Sequence, residues 1–318
     1  MASDKKPAQS DSPPAAGLSS RGQLLLALGV LACGWFVVQA AWRSWAPAVA
    51  ASDAYRIAPE NIELSPAAPP WVRSDLRGEA LATAGLVGEL SALDAPDRLQ
   101  QRVADALRFH PWVRDVTGVV LTPPHGLRVS LEYRMPVAVA YAAQGGPASR
   151  WLPIDAEGYR LPAGDLSANE LRLLPRIQSA GAAPLVGEPW EDPRLRGAVA
   201  LIVRLGPAWR ELRLVDVTPS PRPETRGASQ HYLYTLRSSA RMEIFWGAAP
   251  GHEPAGESTF EQKLSRLRAY IQQNGPIDKI TTSPKRIEVR DGLIASERTV
   301  LLPAEPFDGD SSDAALLK

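Results

Sequence analysis

Cysteine, histidine and any surplus of charge are scarce in this 318-residue sequence, and each scarcity closes off a class of function. The single cysteine, Cys33, can form no internal disulfide and rules out a multi-cysteine metal site. Lys plus Arg and Asp plus Glu both number 35, so the formal charge is zero and the basic surplus that nucleic-acid binding needs is missing. The histidines are His110, His125, His231 and His252, and no two share a helical or strand spacing, so no metal site is expected. His110 precedes Pro111 at a helix end, where a cation suits the dipole. The motifs G-x-S-x-G, H-E-x-x-H and G-x-x-x-x-G-K-[ST] do not occur. Gly145-Gly146 sits in a polar loop without a following helix pattern, which argues against a phosphate cradle. Glu132 and Asp155 are the one pair of carboxylates to weigh as acid and base, and each has a plainer role, on a wet strand face and at a turn. No catalytic residue, cofactor, metal or small-molecule substrate is therefore expected.

Apolar runs long enough to cross a membrane are absent too, save one. Gly22 to Trp42 carries no charge and is bracketed by Arg21 and Arg43. Roughly 20 apolar residues, each rising about 1.5 Å as helix, match a hydrocarbon core of about 30 Å. Cys33 lies inside this run as a small apolar filler, and Trp35, Trp42 and Trp45 favour its outer end. A secretory signal peptide has a shorter apolar region, about 7–15 residues. Ala46-Pro47-Ala48-Val49-Ala50 would loosely supply its cleavage site, but the length of the run favours a retained anchor. Lys5, Lys6 and Arg21 precede the run, and after Arg43 no Lys or Arg appears until Arg56, which places the N-terminus in the cytoplasm. Residues 1–21 read as a disordered cytoplasmic tail, 22–42 as a transmembrane helix and 296–318 as a second disordered tail.

The rest divides into two α+β units, at 55–135 and 136–295. In the first, Pro66 to Pro70 is a turn-rich linker and Ile62 and Leu64 suit a short strand before it. Ser91 to Pro111 predicts a helix, with Asp94 as N-cap, Pro96 in the first turn and Leu99, Val103, Ala106 and Leu107 on one face. Val116 to Leu121 predicts a strand, Pro123-Pro124-His125-Gly126 a turn, and Leu127, Val129, Leu131 and Tyr133 a half-buried strand alternating with polar residues. In the second unit, strands are expected at Val137–Tyr141, Trp151–Ile154, Leu212–Val217, Tyr232–Leu236 and around Met242, Ile244 and Trp246, with a helix at Leu195–Leu205. Ser258-Thr259-Phe260-Glu261 is a capping box opening a helix whose stripe is Phe260, Leu264, Leu267 and Ile271, with Lys263, Arg266 and Arg268 on other faces. A final short strand carries Ile287 and Val289.

Several of these pieces together resemble a known family. His110-Pro111-Trp112-Val113, then Pro124-x-x-Leu127-x-Val129, then Glu132-Tyr133-Arg134-Met135-Pro136-Val137-Ala138, resemble the POTRA domain of the bacterial divisome protein FtsQ (DivIB in some lineages). Ile154-Asp155-Ala156-Glu157-Gly158-Tyr159 is similar to that family's turn, and the helix around Lys263-Leu264-x-Arg266-Leu267 with a last Ile287-x-Val289-Arg290 strand is similar to the end of its β domain. The family's usual opening strand motif is absent, and Ile62-Glu63-Leu64 is its nearest substitute. The resemblance implies one N-terminal transmembrane helix in the bacterial inner membrane, a POTRA-like module, then a mixed β domain with flanking helices on the extracytoplasmic side. It implies a scaffold that recruits FtsB-like and FtsL-like divisome proteins by docking.

A terminal strand at a sheet edge offers unpaired backbone groups to which a partner strand can add. Arg286, Ile287, Glu288, Val289 and Arg290 form the expected edge strand, and the resemblance, in which the matching last strand is where FtsB and FtsL dock, implies partner binding by Ile287 and Val289 with charge complementarity from Arg286 and Arg290. Two other readings have discriminators of their own. A POTRA-bearing envelope-assembly or secretion scaffold would be followed by β-barrel sequence, and a membrane-anchored cell-wall hydrolase would bring two carboxylates or a Zn triad into one cleft.

Overall fold

The structure is a computed structural model that describes residues 20–50, 52, 55–142, 151–277, 285–292 and 294–297. The tails at 1–19 and 298–318, and Gly145-Gly146, lie outside the described residues. The first described element is helix α1, Ser20–Ala50, which runs past both ends of the expected 22–42 segment. It exposes Leu28, Val30, Leu31, Trp35, Phe36, Val37 and Val38, with Phe36 73% exposed. Among the described residues no helix is long and apolar enough to cross a membrane. The side chains of 20–26 at the start of the run fall outside those described.

The first unit is a three-stranded sheet backed by two helices. Strand β1 (Ile62–Ser65) is followed by α2 (Leu76–Thr83), α3 (Pro96–Arg108), β2 (Val113–Thr122) and β3 (Gly126–Tyr133). The sheet order is β1-β3-β2, with β1 parallel and β2 antiparallel to β3. Ile62-Glu63-Leu64 thus does form the first strand, pairing Ile62 with Leu127 and Leu64 with Val129. Leu99, Val103, Ala106 and Leu107 are all buried, as their spacing along α3 requires. Burying each large aliphatic side chain contributes about 1.5–3 kcal/mol. The cap of α3 differs from expectation: Ala95 holds the N-cap position without a side-chain hydrogen bond, and Pro96 begins the helix. A proline at the first helical position has no amide to satisfy, which reduces the need for an Asp94 cap.

His110 is a second correction. Its ring is buried, Nδ1 accepts from the Trp112 amide at 3.3 Å, and Nε2 lies 3.4 Å from Glu79 Oε2. Burial pulls its pKa below the ordinary 6.5, against the raising pull of Glu79. Protonation at Nδ1 would break the Trp112 bond, so the neutral ring fits this site and a dipole-seeking cation does not. The unfolded chain then takes up a proton that the folded chain resists, so stability falls as pH drops below about 6.5. Thermal midpoints at pH 7.5 and 5.5 check this. Wild type is expected to lose more on acidification than His110→Gln, and parallel losses would refute the assignment.

The second unit is an eight-stranded mixed sheet. Its elements are β4 (Ala138–Ala142), β5 (Trp151–Ile154), α4 (Ala168–Leu173), β6 (Arg176–Ala180), α5 (Pro193–Leu205), α6 (Pro207–Glu211), β7 (Leu214–Pro219), β8 (Glu224–Arg226), β9 (Ser229–His231), β10 (Leu233–Ser238), β11 (Glu243–Ala248), α7 (Phe260–Asn274), β12 (Lys285–Glu288) and β13 (Ile294–Glu297). The sheet order is β13-β12-β11-β10-β7-β6-β4-β5, while β8 and β9 form a separate small hairpin. The buried face of α5, with Leu195, Ala198, Leu201, Ile202 and Leu205, joins Ile177, Val217, Leu236, Ile244 and Trp246 in one core.

The two units share side chains as well as a chain connection. Leu161 and Leu166, which follow β5 in sequence, are buried in the core of the first unit. Asp165 Oδ2 accepts hydrogen bonds from Trp112 Nε1 at 2.6 Å and Ser74 Oγ at 2.8 Å. Arg134 reaches Asp155 at 2.5 Å and Glu157 at 2.9 Å, and Asp155 Oδ1 meanwhile caps its own turn through the Glu157 and Tyr159 amides.

Candidate partner-docking edge

The C-terminal end of the large sheet is the region the sequence singled out, and the structure moves its edge. β12 pairs in parallel with β11, Ile287 opposite Ile244, and antiparallel with β13, Ile287 opposite Ala295. Arg286–Arg290 is therefore not the last strand, nor a free edge. The edge belongs to β13, whose outer side has no strand partner among the described residues. Ser296 and Glu297, expected within the tail, belong to this strand.

The five expected docking residues divide accordingly. Ile287 and Val289 are fully enclosed in the core. Val289 donates its amide to Phe245 O at 3.1 Å, just past the end of β12. Arg286 is exposed, with its guanidinium 5.2 Å from the centre of the Phe245 ring, and Glu288 is half-buried. Arg290 is buried and committed inside the protein: its Nε donates to Glu257 at 2.9 Å and its Nη atoms pair with Glu224.

That commitment belongs to an ion network that sequence reading missed. Glu257 lies in the turn before α7 with its side chain wholly enclosed. Its Oε1 accepts from the Ala248 amide at 2.7 Å and from Lys263 Nζ at 2.6 Å, and Oε2 accepts from Arg290. Lys263, expected on a face other than the apolar stripe of α7, is 0% exposed. Burial lowers its pKa, and Glu257 opposes that shift. Glu224 is held below the usual carboxylate range by Arg290. The hub needs Gly247 beside it: the residue sits at φ +93°, and a Cβ there would collide with the Glu257 carboxylate and the Arg290 side chain. Arg266 adds a strut, donating to Ser258 Oγ at 2.5 Å and to Val289 O at 3.2 Å. With Ser258 so used, the capping box falls one residue later, on Thr259 and Gln262.

The arrangement does one thing well. A charged clamp fixes the end of β12 to the turn after β11, to α7 and to the β8–β9 hairpin, and so holds a short ladder rigid while its outermost strand stays open. The signal available in sequence was Glu257 six positions before Lys263, but one lies in a turn and the other in α7, so no single period relates them. Among the described residues no group of three or more His, Cys, Asp or Glu side chains stands in reach of a common metal ion.

Two α+β units thus meet where Leu161, Leu166 and Asp165 enter the first unit, and among the described residues the large sheet ends in a strand with one open side. Among curated proteins the chain is similar to the cell division protein FtsQ of Salinibacter ruber, with 26% identity over 211 residues, covering 65% of this chain and 70% of that protein. No family model matches the chain. The motif order and this likeness point to the same family, and the chain is FtsQ-like to that extent.

Proposed function

We propose that this chain is a non-enzymatic scaffold of the bacterial cell-division septum. It is anchored in the inner membrane by one span, with the N-terminus cytoplasmic and both α+β units outside. The observation that carries the reading is the likeness to a cell division protein over 211 residues. The β-α-α-β-β order of residues 62–133 suits a POTRA-like module, and the exposed apolar surface of α1 suits a lipid environment. FtsB-like and FtsL-like membrane proteins are its partners, bound by docking that includes strand addition.

The docking strand in this reading is β13, one ladder position beyond Arg286–Arg290. Its main chain offers the pairing groups, while β12 and the Glu257 clamp behind it keep the register. A charge at Val289 would unfold the unit and report nothing about docking, since that side chain is fully enclosed. Proline is the better probe. In an antiparallel pair, successive residues of one strand point their amides toward and away from the neighbour. Of Ala295→Pro and Ser296→Pro, one removes a bond to β12 and the other only an outward amide. The outward variant is expected to fold normally and lose most partner recovery in a pull-down from membranes. If both variants recover partners like wild type, strand addition at β13 is wrong.

Depletion with microscopy tests the division role itself: filamentous or unseptated cells are expected, and normal septation after complete loss refutes it. The anchor has its own check. Leu31→Arg near the middle of the apolar run is expected to cost about 2.5–3.5 kcal/mol of insertion and to shift the protein out of the membrane fraction. Unchanged fractionation would count against the span.

A further inference from the structure

A cleft of about 580 Å³ opens beside the first half of α5, between β9–β10 and the turns that follow β5 and β11. It uses no residue of β12 or β13 and is separate from the docking edge. Its floor is made of small residues, among them Gly197, Ala200 and Ala249. Gly197 is needed there because a Cβ would overlap the Tyr234 hydroxyl, which packs on the helix and donates to Arg194 O at 3.2 Å.

The polar groups around this floor are mostly donors. Arg196, Gln230 and His252 stand exposed at the rim, and neither Arg196 nor His252 has an ion-pair partner among the described residues. Below them His231 is buried, its side chain 3% exposed. Its Nε2 lies 3.3 Å from Glu224 Oε2 and helps hold that carboxylate charged, while its Nδ1 has no hydrogen-bond partner among the described residues. The carboxylate on the wall, Glu157, is already held by Arg114 at 2.5 Å and Arg134 at 2.9 Å. Pro193 and Arg196 place the first turn of α5 along the same wall, its terminal amide already capped by the Asp192 carboxylate, so the positive charge offered to the cleft is that of Arg196. Free donors and positive charge thus face a cleft whose own acceptor is spent.

We propose that this cleft binds an acidic segment of another polypeptide. A side-chain carboxylate is held by Arg196 and His252, with His231 beneath them, while the chain crosses the small-residue floor. Charge-assisted hydrogen bonds of this kind are about twice as strong as neutral ones. A polypeptide suits the shape better than a small molecule. Small-ligand sites bury about 70–90% of the ligand, whereas a rim of exposed side chains covers only one face of what it holds.

The test uses the full chain in detergent micelles and two fluorescein-labelled peptides, hexaglutamate and hexaglutamine, followed by anisotropy. Hexaglutamate is expected to bind at least about tenfold more tightly than hexaglutamine. The double variant Arg196→Gln, His252→Gln is expected to lose about that factor with an unchanged melting temperature, both residues being exposed. Arg128→Gln, on the distant first sheet, should bind hexaglutamate as wild type does. Equal binding of the two peptides, no binding of hexaglutamate, an unaffected double variant, or an equal loss in Arg128→Gln would each overturn the proposal.

Discussion

Glu257→Ala should lose about 3–5 kcal/mol of folding stability, because it leaves a lysine charge with no counter-charge in a closed interior. In wild type, Lys263 Nζ has Glu257 at 2.6 Å, Ala248 O at 3.5 Å and the Trp246 ring centre at 5.7 Å, and of these Glu257 alone carries a counter-charge. The same substitution orphans the Ala248 amide and removes one of the two carboxylates that hold Arg290. Lys263→Met should be milder, about 1–2 kcal/mol. There Glu257 keeps Arg290 and the Ala248 amide, and the methionine fills much of the lysine stem's space. The sign with pH follows from the same geometry. Burial already lowers the Lys263 pKa, and deleting Glu257 removes the main pull in the other direction. The folded variant therefore resists a proton that the unfolded chain accepts, so its deficit should grow as pH falls from 9 to 6. Urea unfolding at both pH values measures this. A Glu257→Ala loss below about 1 kcal/mol, or one that shrinks on acidification, would mean the clamp does not hold the C-terminal ladder. In a functional assay the same variant should weaken partner recovery even at temperatures where it stays folded, since β13 rests on β12 and β12 on this hub.

What sequence could reveal here depended on how local the cause was. The alternation from Leu127 to Tyr133 and the stripe of α3 are dictated by neighbours within a turn or two, and both appear in the structure as read. The capping box was ambiguous by one residue, because Ser258-x-x-Glu261 and Thr259-x-x-Gln262 both satisfy the pattern. In the structure Thr259 and Gln262 make the box, while Ser258 Oγ accepts from Arg266. Helix α2 escaped notice since it is short and carries Gly78, and its buried residues Leu76, Ala80 and Leu81 make a thin stripe. β6 is a central strand with Ile177 as its buried anchor, too little alternation to announce itself. Lys263 was misplaced because a charged residue on a helix normally faces water, and its burial is set by a carboxylate supplied from a turn. The free edge was misplaced because β13 is a four-residue strand that ends in polar residues resembling a tail. For Lys263 and for the sheet edge the deciding contact comes from outside the segment, whereas α2 and β6 carry too weak a local pattern.

The second large effect lies at the join between the units. Leu161 is tied by its backbone to β5, its amide donating to Pro153 O at 2.8 Å, yet its side chain is fully buried in the core of the first sheet. A residue that belongs to one unit by hydrogen bonding and to the other by packing makes the two unfold together. Leu161→Ala should cost about 2–5 kcal/mol, the range for a buried leucine whose cavity cannot collapse. The collapse is opposed by a rigid surround: Trp112 is fixed through its indole N–H to Asp165, and Arg73 bridges to Asp165 O and to Glu170. Native-state hydrogen exchange distinguishes shared from separate stability. With a shared core, amides of β1–β3 and of β4, β6 and β7 lose protection by similar amounts in Leu161→Ala. If the first sheet, whose core holds the cavity, loses protection while the large sheet keeps wild-type protection, the units are independent. The docking edge would then be free to swing relative to the first unit, instead of being carried at a set orientation on one continuous body.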